Sequence, residues 1–199
     1  LNPILYPIDT NLFKPHDTNK DHDIGMTGAL HNISHYASGA YAAGEKNIRE
    51  RIVNALKGTD FKKIIQCSDV NQKAYIEDTQ EYINTINRCK IWVCTNADHG
   101  DLTPRYSEIM SCKTLLFCNE QPYKTFSDTL VDNETCVFFK NNLSDLEEKI
   151  AKSKQNLVNL KLFNLISIYG RGAGRAPETV EKTVKTKKKQ ENPWNIILT

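Results

Sequence analysis

No apolar stretch in this chain of 199 residues approaches the roughly eighteen that a membrane-spanning helix requires. The opening LNPILYPIDTNLFKP lacks the basic start and apolar block of a secretory leader. Neither a membrane span nor export is expected. The six cysteines, at 67, 89, 94, 112, 118 and 136, form no CxxC pair and mostly sit inside apolar strand-like runs, where a free thiol behaves as a small hydrophobe. They are read as reduced thiols of a cytoplasmic protein, and the Asn-x-Ser/Thr triplets at Asn32, Asn133 and Asn142 as chance. A strong net charge is also missing. From Gly170 onward seven Lys or Arg face three Glu, an excess of four within a formal total of +2, which leaves the preceding body near −2. No specific nucleic-acid partner is expected from that balance.

What the chain does have is alternation. HDIGMTGAL reads as a buried strand ending in a glycine turn at Gly28, where glycine permits close backbone approach and positive φ. EKNIRERIVNALKG puts Ile48, Ile52, Val53 and Leu56 on one helical face and stops at Gly58. FKKIIQCS is a strand, QKAYIEDTQEYINTINR a helix striped by Ile76, Ile83 and Ile86, and KIWVCTN a strand. TPRYSEIMSC then reads as a helix, TLLFCN as a strand, YKTFSDTL as a short helix, CVFFK as a strand and SDLEEKIAKSKQNLVNLKLF as the last helix. Strands and helices in turn predict a parallel sheet covered on both faces: a doubly wound, Rossmann-like α/β domain over residues 20–169. Residues 1–19 form a Pro-punctuated, linker-like segment. Residues 170–199, with three glycines in five positions and a Lys run, form a basic flexible tail with a short helix at 177–187.

In such open sheets ligands bind beyond the carboxyl ends of the strands, so the loops at Gly28 and at 96–103 are the candidates. Thr103 followed by Pro104 is a strong helix start, with the hydroxyl able to cap and the proline losing no needed donor. The helix end would face phosphate; Arg105 adds a charge able to grip its oxygens, and Glu108, one turn on, can accept from a diol. Together they describe a sugar-nucleotide site that needs no metal. On spacing alone, the competing reading is a surface ion pair between Arg105 and Glu108, worth a few tenths of a kcal/mol. His31 and His35 stand four apart but have no convincing helix and no third ligand, so no metal site is expected. His99 is read as an exposed loop residue, and Cys94, Cys112 and Cys118, without an activating base, as core.

The string TPRYSEIMSCKTLLFCNEQPYKTFSDTLVDNETCVFFKNNLSDLEEKI resembles the carboxyl-terminal, donor-binding lobe of GT-B fold glycosyltransferases, particularly the spore-maturation-type group 1 relatives with a PR-x-x-E-x-x-x-x-x-x-L-L helix and strand. Upstream, YPIDTNLFKPHDTNKDHDIGMTGAL is similar to that superfamily's passage between lobes, where D-x-x-x-F-x-P leads into the first strand. The resemblance implies a metal-independent, hexosyltransferase-like enzyme without a cofactor, whose substrate is a nucleoside-diphosphate sugar. It places Glu108 on the ribose, Arg105 and the Thr103 helix end on the diphosphate, Gly28 beneath the phosphates, and Tyr106 in the donor-binding set; no catalytic residue is assigned. The acceptor, whether glycan, protein or small molecule, is left open. Because the acceptor lobe precedes this one in a GT-B enzyme and the chain starts on Leu1, a fragment lacking its N-terminal lobe is expected, with activity depending on that lobe. Two departures stand out: Gly100 occupies the place of a second Glu, and Lys113 the place of a glycine after the helix. The other open reading is a non-catalytic, flavodoxin- or receiver-like α/β module binding a nucleotide or another ligand.

Overall fold

A parallel strand buried on both faces meets no water, so it reads as a continuous apolar run. The five strand-like runs of the sequence all become strands in the structure, a computed structural model that describes residues 7–30, 48–68, 76–96, 102–120 and 130–156. In chain order the elements are β1 (His22–Ala29), α1 (Ile48–Lys57), β2 (Lys63–Ser68), α2 (Thr79–Arg88), β3 (Cys89–Cys94), α3 (Arg105–Ser111), β4 (Leu115–Asn119), β5 (Val137–Phe139) and α4 (Leu146–Asn156). The strands form one parallel sheet in the order β2-β1-β3-β4-β5. The chain therefore runs outward from β1 to β2, then jumps back across β1 to β3. That reversal is a topological switch point, and its crevice opens at the carboxyl ends of β1 and β3.

Alternate residues feed two cores, one per face. On one face Ile24, Met26, Ile91, Val93, Leu115 and Phe117 pack against Ile52 and Leu56 of α1 and Leu146 and Ile150 of α4. On the other, Trp92, Cys94, Leu116 and Cys118 pack against Ile83 and Ile86 of α2 and Tyr106, Ile109 and Met110 of α3. The fold is thus doubly wound and Rossmann-like, as the alternation predicts. Among the described residues no helix is long and apolar enough to cross a membrane.

The amino end of the sheet is tied by charge. Asp23, buried at the start of β1, accepts from Lys90 Nζ (2.9 Å), from Lys154 Nζ of α4 (2.7 Å) and from the Lys62 amide (3.1 Å). Burial pushes its pKa up, but hydrogen bonds from Lys154, Lys90 and Lys62 outweigh that and hold it at about 2, below the usual 3.8. A carboxyl depressed in the folded state stabilises fully above its unfolded pKa and loses that contribution as pH falls through its folded one. We therefore expect Asp23→Asn to cost about 2 kcal/mol at neutral pH and nothing below about pH 2. Urea unfolding between these limits tests it, and a constant difference across the range would contradict it.

The linker-like segment is docked rather than extended away, as far as its described residues go. Asn87 of α2 accepts from the His16 amide (2.9 Å) and donates to the Lys14 carbonyl (3.2 Å). Lys20 Nζ donates to the carbonyls of Asn87 (3.2 Å) and Cys89 (2.8 Å) and to Thr114 Oγ1 (2.9 Å). Phe13 meets Tyr82 of α2 edge-on, ring centroids 6.3 Å apart.

Two local expectations are corrected. The helix drawn from Gln72 starts at Thr79 instead, because Asp78 caps it by accepting from the Glu81 amide at 2.7 Å; Ile76 precedes the helix. Thr103 caps no helix: Pro104 precedes Arg105 in helical geometry with no side-chain cap, and Thr103 Oγ1 lies 3.8 Å from Cys94 Sγ. Lys113 is left-handed (φ 52°), and the amides of Lys113 and Thr114 close the end of α3 onto the carbonyls of Met110 and Ile109. It sits where helices usually place glycine, at the amino end of β4 and away from the switch point. The short helix expected from Tyr123, the far half of the last helix, the tail at 170–199, His31, His35, His99 and Gly100 lie outside the described residues.

Candidate functional site

Gly28 and Ala29 end β1, Cys67 and Ser68 end β2 beside them, and Thr95 and Asn96 follow β3. Onto these three strand ends come side chains from α1, α2 and α3. The first is Arg49, second residue of α1, which sequence reasoning passed over. Its Nε donates to Thr95 Oγ1 at 2.8 Å and its Nη1 to the Ala29 carbonyl at 3.2 Å, so the side chain spans from β1 to β3 across the crevice. The stem passes over Gly28: a Cβ there would stand 3.1 Å from Arg49 Cδ and 3.3 Å from Nε, on a backbone at φ 150° that side chains rarely adopt. Gly28 is thus placed beneath a guanidinium and leaves it room.

Arg105 approaches from the first turn of α3. It has no hydrogen-bond or ion-pair partner among the described residues. Burial pushes the thiols of Cys67 and Cys94 up to about 11, and the charges of Arg49 and Arg105 pull against that push at both. Arg49 thus lies across these strand ends, and Arg105 stands on the helix that follows β3. Each stands in the first turn of a helix, where the macrodipole disfavours cations by roughly 0.3–1 kcal/mol. A basic residue set against the dipole after a strand-to-helix loop is the sequence signal that could have picked out Arg49.

Glu108 does not pair with Arg105. Its Oε2 accepts from the Tyr82 hydroxyl at 3.0 Å, and the carboxyl is half-buried between α2 and α3. Burial raises its pKa, while the Tyr82 hydrogen bond and the Arg105 charge oppose the rise. The Tyr82 phenol is itself pushed far up, first by burial and then by the Glu108 charge, so it stays a donor at any physiological pH.

Tyr106, expected in the donor-binding set, has its ring fully buried in the core. Its hydroxyl donates to Asn96 Oδ1 at 2.8 Å; the Asn96 amide donates to Asn119 Oδ1 at 3.2 Å, and Asn119 Nδ2 to Asn141 Oδ1 at 3.0 Å. These residues form a polar floor across the carboxyl ends of β3, β4 and β5. Polar residues closing buried strands were the legible sign of it. Among the described residues no three His, Cys, Asp or Glu side chains stand together as a metal cluster.

The carboxyl ends of the strands thus carry Gly28, Arg49 and Asn96, and the helices beside them carry Tyr82, Arg105 and Glu108, while the Thr103 hydroxyl lies beside Cys94 and the Tyr106 ring is buried. No curated protein matches the chain. Among solved structures it is similar to the C-terminal domain of a glycosyl transferase group 1 family protein (LpcC) from Francisella tularensis, at 16% identity and a TM-score of 0.48, over 92% of this chain and 100% of that one. A family model described as glycosyl transferase-like matches residues 45–158, a span that holds Arg49, Tyr82, Arg105 and Glu108, and on that match over more than half its length the chain belongs to the glycosyl transferase-like family.

Proposed function

We propose that the carboxyl end of the sheet binds the nucleoside diphosphate of a sugar donor, and that the chain is the donor-binding lobe of a GT-B-type glycosyltransferase whose acceptor site lies on another lobe. The observation that carries this reading is Arg49 bridging the carboxyl ends of β1 and β3 at the switch point, with a second guanidinium, Arg105, in the first turn of the helix after β3, two cations where helix ends disfavour them. A diphosphate repays both. Glu108, with one oxygen taken by Tyr82, offers the other to ribose hydroxyls.

In the transfer itself the acceptor oxygen bonds to the anomeric carbon and gives up its proton, while the bond from that carbon to the diphosphate oxygen breaks and its electron pair leaves with the nucleoside diphosphate. Charge grows on the departing group, and fixed guanidinium groups stabilise it most at that moment. These two cations supply the positive charge that a divalent metal provides elsewhere, so the reading needs none. All six thiols are unpaired, which suits the reducing cytoplasm. The strand order is shared with flavodoxin-like binding modules, but family membership favours transfer.

Titration calorimetry with UDP and GDP against UMP and GMP tests the reading. We expect one diphosphate to bind, and Glu108→Ala to weaken it on the order of tenfold, the worth of a hydrogen bond to a charged group. If no nucleoside diphosphate binds, or if Glu108→Ala binds as tightly as wild type, the assignment is wrong.

A further inference from the structure

We propose that Tyr82 is the positioning residue of this site, a rigid donor on α2 that holds the Glu108 carboxylate in the orientation in which its second oxygen meets the ribose. This rests on the reading of Glu108 given above and adds a residue that neither the family match nor the sequence motif names.

The geometry is that of a clamped ring. Tyr82 lies edge-on to Phe13 at 6.3 Å and edge-on to Trp92 at 6.0 Å, interplanar angles 76° and 75°. Trp92 is fully buried on β3, and Phe13 belongs to the segment that leads into the domain. With an aromatic edge on each side the phenol has no freedom to follow Glu108. The carboxylate instead must come to the hydroxyl, at 3.0 Å. A glutamate three torsions long, standing alone on a half-buried helix face, samples several rotamers; a fixed donor removes that freedom before any ligand arrives. The same hydrogen bond favours the ionised form, which is the form that accepts from a diol. The titratable groups facing Glu108 are Tyr82 from α2, Arg105 from α3, Cys112 just after α3 and Cys94 from β3. Of these the Tyr82 hydrogen bond and the Arg105 charge oppose the upward push of burial on Glu108. Losing the phenol therefore moves the Glu108 titration upward, and with it the acid limb of nucleotide binding.

Tyr82→Phe keeps the ring and both aromatic edges and removes the hydroxyl alone. In calorimetry on the full chain with UDP and GDP, we expect affinity for the preferred diphosphate to fall about tenfold at neutral pH. The pH below which binding is lost should rise, and the preference for that diphosphate over its 2′-deoxy analogue should shrink. A residue that only packs would lower the thermal midpoint and leave both the acid limb and the ribose preference in place. The controls separate the two readings. If wild type ignores the 2′-hydroxyl or Glu108→Ala binds like wild type, Glu108 is not the ribose acceptor and both fall. If those hold while Tyr82→Phe keeps the wild-type acid limb and ribose preference, only the role of Tyr82 is overturned.

Discussion

Gly25→Ala should be the most damaging conservative change in the domain, costing about 3 kcal/mol, the upper end for forcing atoms into a packed core. Gly25 sits in the middle of β1, paired with Ile64 on one side and Trp92 on the other. A Cβ there would stand 2.3 Å from Trp92 Cε3, 2.4 Å from Cζ3 and 2.8 Å from Cys89 Sγ, closer than real contacts allow. The obstacle is the body of a fully buried indole held by two core helices, so neither atom can swing aside. In a strand glycine ordinarily costs stability, and its presence here is explained by the indole that occupies the space of a Cβ. Urea unfolding measures the effect as a lower midpoint with an unchanged slope. The double variant Gly25→Ala, Trp92→Leu should cost less than the sum of its parts, because each change relieves the other. A loss below about 1 kcal/mol for Gly25→Ala would mean that the indole does not rest on the backbone as described.

The same packing shows what a sequence can and cannot disclose. The inner strands were legible because burial on both faces favours apolar runs: KIWVC and LLFCN read as core at sight. Gly25 was legible as a glycine and no more, since its reason is a tryptophan 67 positions away that only strand pairing brings beside it. Helix starts were less secure. Asp78 outcompetes the polar run before it because its side chain satisfies a free amide, whereas Thr103, an equally good capping type, turns its hydroxyl toward Cys94 instead.

For the candidate site, local spacing links residues that share one turn but not those that meet only through the sheet or between helices. Arg105 and Glu108 lie three apart on α3, and local spacing shows them together. The competing prospect, an ion pair between them, failed because Tyr82 reaches Glu108 from another helix, 26 positions away in sequence. Tyr106 was grouped with its neighbours by position in the motif, yet helical geometry turns it inward, toward Ile109 and Met110. Arg49 had no motif at all. Its place is set by β1 lying between β2 and β3, which carries the start of α1 to the crevice.

Arg49 and Arg105 together should supply most of the affinity for the diphosphate. Each guanidinium can make charge-assisted hydrogen bonds to phosphate oxygens, so Arg49→Ala and Arg105→Ala are each expected to weaken UDP or GDP binding on the order of tenfold or more, and the double variant about a hundredfold if the two act independently. The two differ in what else they lose. Arg105 makes no hydrogen bond or ion pair among the described residues, so its removal should leave the thermal midpoint near wild type. Arg49 also ties Thr95 to Ala29, so Arg49→Ala should lower the midpoint as well, and Arg49→Lys should keep the charge while losing the fork that spans the crevice. The ratio of diphosphate to monophosphate affinity separates charge recognition from general loosening, because a loosened site weakens both ligands alike. It should collapse toward unity in the double variant, and the steep fall of wild-type affinity with salt should flatten with it. If both single variants retain the wild-type ratio, the two cations serve the fold and the diphosphate, if bound, rests elsewhere.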